Sequence, residues 1–193
     1  MPARRLTGIF CLEGEWDPNL RNRNSVEPIL ELLERLGIAR TIHRDVATRP
    51  ELEYYLRKWG QKRYADYSVL YLASHGLGGK LELGQGSVTL AELADLLEGK
   101  CAGRVVYFGC CLVLNQQNDV LQEFARKTGA KAVLGYSRQI DWLDSAAFEV
   151  LLLERLARGN RTDAFFNHLH RDHGAFAEKL GLVVSTKNTT WDA

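Results

Sequence analysis

Blocks of consecutive apolar residues alternate along the chain with segments in which apolar residues recur every three or four positions. The continuous blocks predict buried strands at residues 6–12, 39–46, 68–74, 104–109, 131–137 and 182–185. The helical spacing predicts helices in the intervening segments. Strands that alternate with helices predict an α/β protein, a three-layer sandwich whose central sheet is mostly parallel and covered by helices on both faces. The length of 193 residues suits a single domain spanning residues 1–193.

Local signals mark where several of these helices begin. Thr-x-x-Glu capping boxes stand at residues 48–51 and 89–92, each ahead of a helical apolar pattern. Asp144 precedes the strongly apolar segment 146–156, and we expect its side chain to cap that helix. Residues 78–88 are glycine-rich with alternating leucines, which predicts a small surface hairpin.

Composition excludes several classes of protein. A formal net charge of +1 with 25% charged residues argues against a dedicated nucleic-acid binder and against a disordered tail. The N-terminal residues carry no apolar signal-peptide core, and no apolar run reaches the roughly 18 residues that a membrane span needs. We therefore expect a soluble, cytoplasmic protein. The four cysteines form no Cys-x-x-Cys pair, so a structural zinc site and disulfides are not expected.

Two of the apolar blocks stop on reactive side chains. Residues 68–76 end on His75 and Gly76, and residues 104–111 end on two cysteines. Chemistry on an open α/β sheet gathers outside the carboxyl ends of its strands, so His75 and a cysteine are expected at one edge of the sheet. An unperturbed thiol, with a pKa of about 8.5, needs a base to become a nucleophile, and a histidine in hydrogen-bond reach supplies one. Gly76 lets backbone N–H groups approach a developing oxyanion, and the N–H of the nucleophilic residue is a second donor.

The order of these blocks resembles the caspase-like cysteine peptidases of clan CD, and most closely their CHAT-type branch. The matching segments are the strand ending in His-Gly at 70–76, the strand ending in a small residue and cysteine at 105–111, and residues 129–137 and 141–148. The resemblance covers residues 65–160 and implies a caspase-hemoglobinase-like fold. It implies a cysteine endopeptidase acting on a protein or peptide substrate, without metal or organic cofactor, in a setting such as bacterial defence or regulated death.

The chain departs from caspases in two ways. His75 and Cys111 are separated by 36 positions, against roughly 50 in caspases. The Gln-Ala-Cys-x-Gly signature is absent. Caspase-type specificity for aspartate is therefore not implied.

The resemblance also bears on which residues form the site. In that branch the nucleophile follows four apolar residues and two small ones. Residues 105–108 and 109–110 match this pattern, so the resemblance implies that Cys111 is the nucleophile and that Cys110 fills a small buried position. Because side chains alternate along a strand, only one of the two thiols can face the cleft. Arg138 could meet an acidic substrate side chain, and Asp141 and Asp144 a basic one. Helix capping is the main role expected of Asp144, and a surface ion pair is the alternative for Arg138 and Asp141, so the specificity stays open.

Two other classes of protein compete with a peptidase. One is a catalytically inactive caspase-like interaction or regulatory module, and an activator or partner subunit is compatible with either reading. The other is a nucleotide-binding doubly wound protein, which is disfavoured because no Gly-x-Gly-x-x-Gly or Walker motif follows a strand.

Overall fold

The structure, a computed structural model, describes residues 6–159 and 162–192, with the backbone alone for 162–166. The strands are β1 (Gly8–Glu13), β2 (Arg40–Asp45), β3 (Val69–Ala73), β4 (Gly76–Leu77), β5 (Lys80–Glu82), β6 (Ser87–Thr89), β7 (Val105–Gly109), β8 (Ala132–Tyr136), β9 (Leu182–Ser185) and β10 (Thr190–Asp192). The helices are α1 (Glu27–Arg35), α2 (Arg49–Trp59), α3 (Leu90–Leu96), α4 (Asn118–Thr128), α5 (Trp142–Ala157) and α6 (Thr162–Leu180). A single 3-10 turn, Lys62–Tyr64, follows α2.

Seven of the strands form one central sheet in the order β10-β9-β8-β7-β3-β1-β2. The five strands from β8 to β2 are parallel, whereas β9 and β10 are antiparallel to their neighbours. The predicted α/β class and the mostly parallel sheet are therefore confirmed. The edge strand β10, three residues long, is the one strand of this sheet that the apolar pattern does not predict.

Helices cover both faces of the sheet, and each face has its own apolar cluster. One cluster joins the sheet to α2, α3 and α4, and the other joins it to α1, α5 and α6. Neighbouring residues of a strand enter opposite clusters, as Tyr107 and Phe108 of β7 do. Because both faces are buried, the central strands are continuously apolar rather than alternating.

The local start signals are mostly confirmed. Both capping boxes form, at the starts of α2 and α3. The prediction that Asp144 caps the next helix is wrong, because Asp141 is the N-cap and accepts hydrogen bonds from the backbone N–H groups of Leu143 and Asp144 at 2.9 and 3.1 Å. The helix starts earlier than the apolar pattern suggests, since its first residue, Trp142, packs edge to face on Trp16 with 4.6 Å between ring centroids.

The glycine-rich segment forms a hairpin extended to a three-stranded sheet. Strands β4 and β5 pair around Gly78 and Gly79, which have φ values of +54° and +80°. Two successive positive φ angles are typical of the tight turns that match strand twist. Strand β6 adds to β5 and leads directly into α3.

No helix of the described ranges is long and apolar enough to cross a membrane. Residues 1–5, part of the N-terminal segment in which no signal peptide is expected, lie outside the described residues.

Candidate active site

The two predicted site residues follow adjacent strands of the sheet. Strands β3 and β7 are parallel neighbours, with Ala73 opposite Gly109 at their carboxyl ends. Continuing that register by two residues sets His75 opposite Cys111. The chain passes from β1 outward to β2 and then back across β1 to β3, so the strand order reverses at β1 and β3. Crevices at such reversals are where open α/β sheets bind ligands.

His75 and Cys111 line one cavity of about 540 Å³. A volume of this size suits a small molecule or a few substrate side chains. The cavity is lined by Trp16, Ser25, Val26, Pro28, Ile29, Ser74, His75, Gly109, Cys111, Gln139, Ile140, Trp142, Ser145, Ala146 and Glu149. These residues come from the segment between β1 and α1, from the ends of β3 and β7, from the loop between β8 and α5, and from α1 and α5 themselves. The fold thus closes the cavity with segments distant in sequence.

The His75 ring is oriented by Trp16. Its Nε2–H donates to the Trp16 backbone carbonyl at 2.8 Å, and the two rings meet edge to face with 5.3 Å between centroids. Because a carbonyl only accepts, Nε2 carries a hydrogen and Nδ1 is the nitrogen left to act as a base. Within the described part of the chain no hydrogen bond joins His75 to Cys111. Catalytic hydrogen bonds often tighten only when substrate is bound.

Trp16 is in turn held by the buried carboxylate of Glu13, at the end of β1. The carboxylate accepts hydrogen bonds from Trp16 Nε1 (2.5 Å), Ser25 Oγ (2.8 Å), the Val26 backbone N–H (2.8 Å) and His43 Nε2 (2.5 Å). Burial acts to raise the pKa of Glu13, but these donors outweigh it and hold the pKa below its ordinary value. Glu13 therefore fixes the loop whose carbonyl orients His75, a role that no local sequence pattern indicates.

Glu13, His43 and Asp45 bring potential metal ligands within 4.8 Å of one another. Burial acts to lower the pKa of His43, but the hydrogen bond and charge of Glu13 outweigh it and raise the pKa above its ordinary value. A carboxylate has about four acceptor sites, and the four donors already use those of Glu13. The group is therefore better explained as an ion pair than as a metal site.

The neighbouring cysteines have opposite environments. Cys110 is buried, its Sγ–H donates to the Leu72 carbonyl at 3.2 Å, and burial raises the pKa of its thiol to about 12. Cys111 is half-buried and lines the cavity, and its Sγ accepts from the Ile140 N–H at 3.5 Å. The prediction that Cys110 fills a small buried position is confirmed. The assignment of Cys111 as nucleophile stays a prediction.

A tight turn presents Cys111. The next residue, Leu112, has a φ of +58°, a conformation that costs a leucine about 1–3 kcal/mol. Gly76 lies against this turn, because a Cβ at Gly76 would stand 2.3 Å from the Cys111 carbonyl oxygen. The Cys111 N–H donates to no backbone carbonyl in the described part of the chain. Gly76 and Cys111, the residues whose N–H groups are expected to serve an oxyanion, are thus in contact through the Cys111 carbonyl.

Sequence reasoning missed a buried carboxyl in the same cavity, that of Glu149 on α5. It accepts hydrogen bonds from the hydroxyls of Tyr71 (2.6 Å) and Tyr107 (2.9 Å), and Tyr107 also pairs with the hydroxyl of Tyr136 at 2.8 Å. Burial raises the pKa of Glu149 to about 7, although the two tyrosines act to lower it. The signal that could have found it is the single acidic residue in the apolar segment 146–153.

The predicted substrate-binding residues lie elsewhere. Arg138 donates from Nη1 to the Glu178 carbonyl at 3.2 Å, Asp141 caps α5, and Asp144 forms an ion pair with Lys179. None of the three lines the cavity. Their part in substrate recognition stays a prediction, and the structure does not group them with His75 and Cys111.

Comparison with known proteins gives a family but no activity. No curated protein matches the chain. One family model, described as a family of unknown function (DUF6642), matches residues 7–184, nearly the whole chain. The protein therefore belongs to the DUF6642 family.

Proposed function

We propose that this protein is a cysteine endopeptidase on a caspase-hemoglobinase-like fold, with Cys111 as nucleophile and His75 as base. The observation that carries the proposal is the placement of the two residues: they follow two adjacent parallel strands at matching positions and line one cavity. A histidine and a cysteine so arranged are the parts of an activated nucleophile.

The proposed reaction proceeds in two halves. Cys111 Sγ attacks the scissile carbonyl carbon while its proton passes to Nδ1 of His75, and the tetrahedral oxyanion accepts from the N–H groups of Gly76 and Cys111. The intermediate then collapses to a thioester as His75 returns the proton to the departing amine. Water, activated by His75, hydrolyses the thioester and restores the thiol.

The surroundings of His75 support its role as the base. The Trp16 carbonyl holds Nε2–H, so that the ring presents Nδ1 and so that the imidazolium formed during attack gains a favourable dipole. The buried Glu13 carboxylate fixes Trp16 by accepting a hydrogen bond from its indole N–H. This arrangement suits a residue that must become positively charged during the reaction.

One observation favours a second candidate, a catalytically inactive module on the same fold. Cys111 Sγ is engaged by the Ile140 backbone rather than by His75. In such a module the cavity would bind a peptide without cleaving it.

Labelling with peptidyl acyloxymethyl ketones, read by intact-protein mass spectrometry and peptide mapping, separates the two candidates. A peptidase should take up one label per chain, at Cys111, and Cys111→Ala and His75→Ala should abolish labelling. Cys110→Ala is the matched control and should still be labelled, because the Cys110 thiol is buried. Peptide binding without labelling or cleavage would favour the inactive module, and near-normal turnover in His75→Ala would refute the dyad.

A further inference from the structure

The cavity has apolar walls and a single buried carboxyl. Its walls include the side chains of Val26, Ile29, Ile140 and Trp142, and Glu149 stands among them, 3% exposed. No lysine or arginine is among the described residues that line the cavity. Glu149 has no role in the proposed catalytic mechanism. Burying its carboxyl nevertheless lowers the stability of the fold.

The Glu149 carboxyl retains capacity for another donor. Tyr71 bonds to Oε2 and Tyr107 to Oε1, one tyrosine on each oxygen. A carboxylate has about four acceptor sites, so about two stay available. Gly109 lies beside Oε1, since a Cβ there would stand 2.8 Å from that oxygen. Gly109 also lines the cavity, so the absence of its side chain leaves the carboxyl open on that side.

We propose that this cavity binds a lysine or arginine side chain of the substrate, at the residue whose carbonyl Cys111 attacks, with Glu149 as the specificity-determining partner of the cation. The inference rests on the proposed peptidase function and names its substrate class. The methylene stem of lysine or arginine packs on apolar walls while its charged end seeks a polar partner. A glutamate or aspartate side chain would instead bring a second negative charge into a poorly solvated cavity.

Among the described residues, the groups around Glu149 provide no permanent positive charge, so the ligand is expected to provide it. Tyr71 on β3, Tyr107 on β7, Tyr136 on β8, Cys110 after β7, and Cys11 and Glu13 on β1 interact with it, and the Glu13 charge acts to raise its pKa. His75 and Cys111 line the same cavity. Burial raises the pKa values of all three tyrosines and of Cys11, so these groups are neutral near neutral pH. Only His75 among the groups named can be a cation, and the proposed mechanism needs it as a neutral base.

The test compares fluorogenic peptides that differ only in this one substrate residue: lysine, its neutral isostere norleucine, or glutamate. The wild-type protein should cleave the lysine peptide with a kcat/KM about 100-fold above that of the norleucine peptide, the scale of a desolvated charge pair. Comparing the two peptides at each pH cancels the titration of the dyad. Their ratio should rise between about pH 6 and about pH 8, as Glu149 loses its proton.

Variants on α5 assign the effect to Glu149. Glu149→Gln should lower the lysine-to-norleucine ratio at least tenfold, whereas Glu149→Asp, which keeps the charge, should retain a preference for lysine. Glu154→Gln is the matched control: Glu154 lies on the same helix, pairs with Arg158 and does not line the cavity. Its ratio should equal that of the wild type.

The outcomes separate this inference from the function beneath it. If no peptide is cleaved and no electrophile labels Cys111, the peptidase proposal fails. If the protein cleaves the norleucine or glutamate peptide as well as the lysine peptide, the peptidase stands and the assigned specificity is wrong. A lysine preference unchanged in folded Glu149→Gln would also overturn the role of Glu149. If Glu149→Gln does not fold, the lysine-to-norleucine ratios of the wild type and of Glu149→Asp test the proposal instead.

Discussion

Replacing Glu149 with glutamine should change how the stability of the protein depends on pH. Burial raises the pKa of this carboxyl from 4.5 to about 7. Between those values the folded state holds a proton that the unfolded chain has released, so the free energy of unfolding falls as pH rises through this window. At about 1.4 kcal/mol per tenfold change in proton affinity, ionising Glu149 in the fold costs on the order of 3 kcal/mol. Glutamine, which does not ionise, carries no such cost.

Urea unfolding of the two proteins at about pH 5 and about pH 8 measures this effect. Near the lower pH, Glu149→Gln should be less stable than the wild type by about 1 kcal/mol, because the amide replaces a carboxyl that Tyr71 and Tyr107 both donate to. Near the higher pH the variant should gain on the wild type by about 2.5 kcal/mol relative to that starting point. Every other titrating group is shared by the two proteins, so its contribution cancels.

The result that refutes this reasoning is a pair of parallel stability curves. Parallel curves would mean that Glu149 titrates alike in the folded and unfolded chains, and hence that the carboxyl is hydrated or compensated by a charge. Glu154→Gln, at a partly exposed position of the same helix, is the control and should run parallel to the wild type.

Three further predictions test the rest of the site. Cys110→Ala should cost roughly 1 kcal/mol of stability while cleavage continues, whereas Cys111→Ala should keep the melting temperature and stop cleavage; the reverse pattern would exchange their roles. Cys111→Ala and His75→Ala should each lower kcat/KM by several orders of magnitude and the double variant little further, since the two act as a unit; additive losses would contradict the dyad. Glu13→Gln should lower stability by about 1.5–3 kcal/mol, because donors to a buried carboxylate lose their charged partner. Part of this lost stability comes from the pairing of Glu13 with protonated His43. That part should be present in full below the unfolded pKa of His43, about 6.5, and should disappear as pH rises through its higher folded pKa. If denaturant unfolding shows a stability loss that does not change with pH, the ion pair is contradicted.

The sequence by itself determined the class of fold and the two strand ends. Continuous apolar runs predicted strands buried on both faces, and the capping boxes predicted where α2 and α3 begin. His75 was found because it directly follows such a run, and a cysteine was expected beside it because the carboxyl ends of parallel strands meet at one edge. The resemblance to CHAT-type peptidases then selected Cys111 over Cys110. These features depend on residues close together in the chain, so local patterns contain them.

Only the tertiary structure decided what surrounds those two residues. Strand order and helix packing bring Trp16, from the loop after β1, and Glu149, from α5, into one cavity with His75 and Cys111. Glu13, at the end of β1, holds Trp16 in place. Asp141 rather than Asp144 caps α5 because Trp142 gains a contact with Trp16, a residue far away in sequence. A local pattern states which side chains share a face of one element. It does not state which elements become neighbours, because that depends on burying the apolar surface of the whole chain at once.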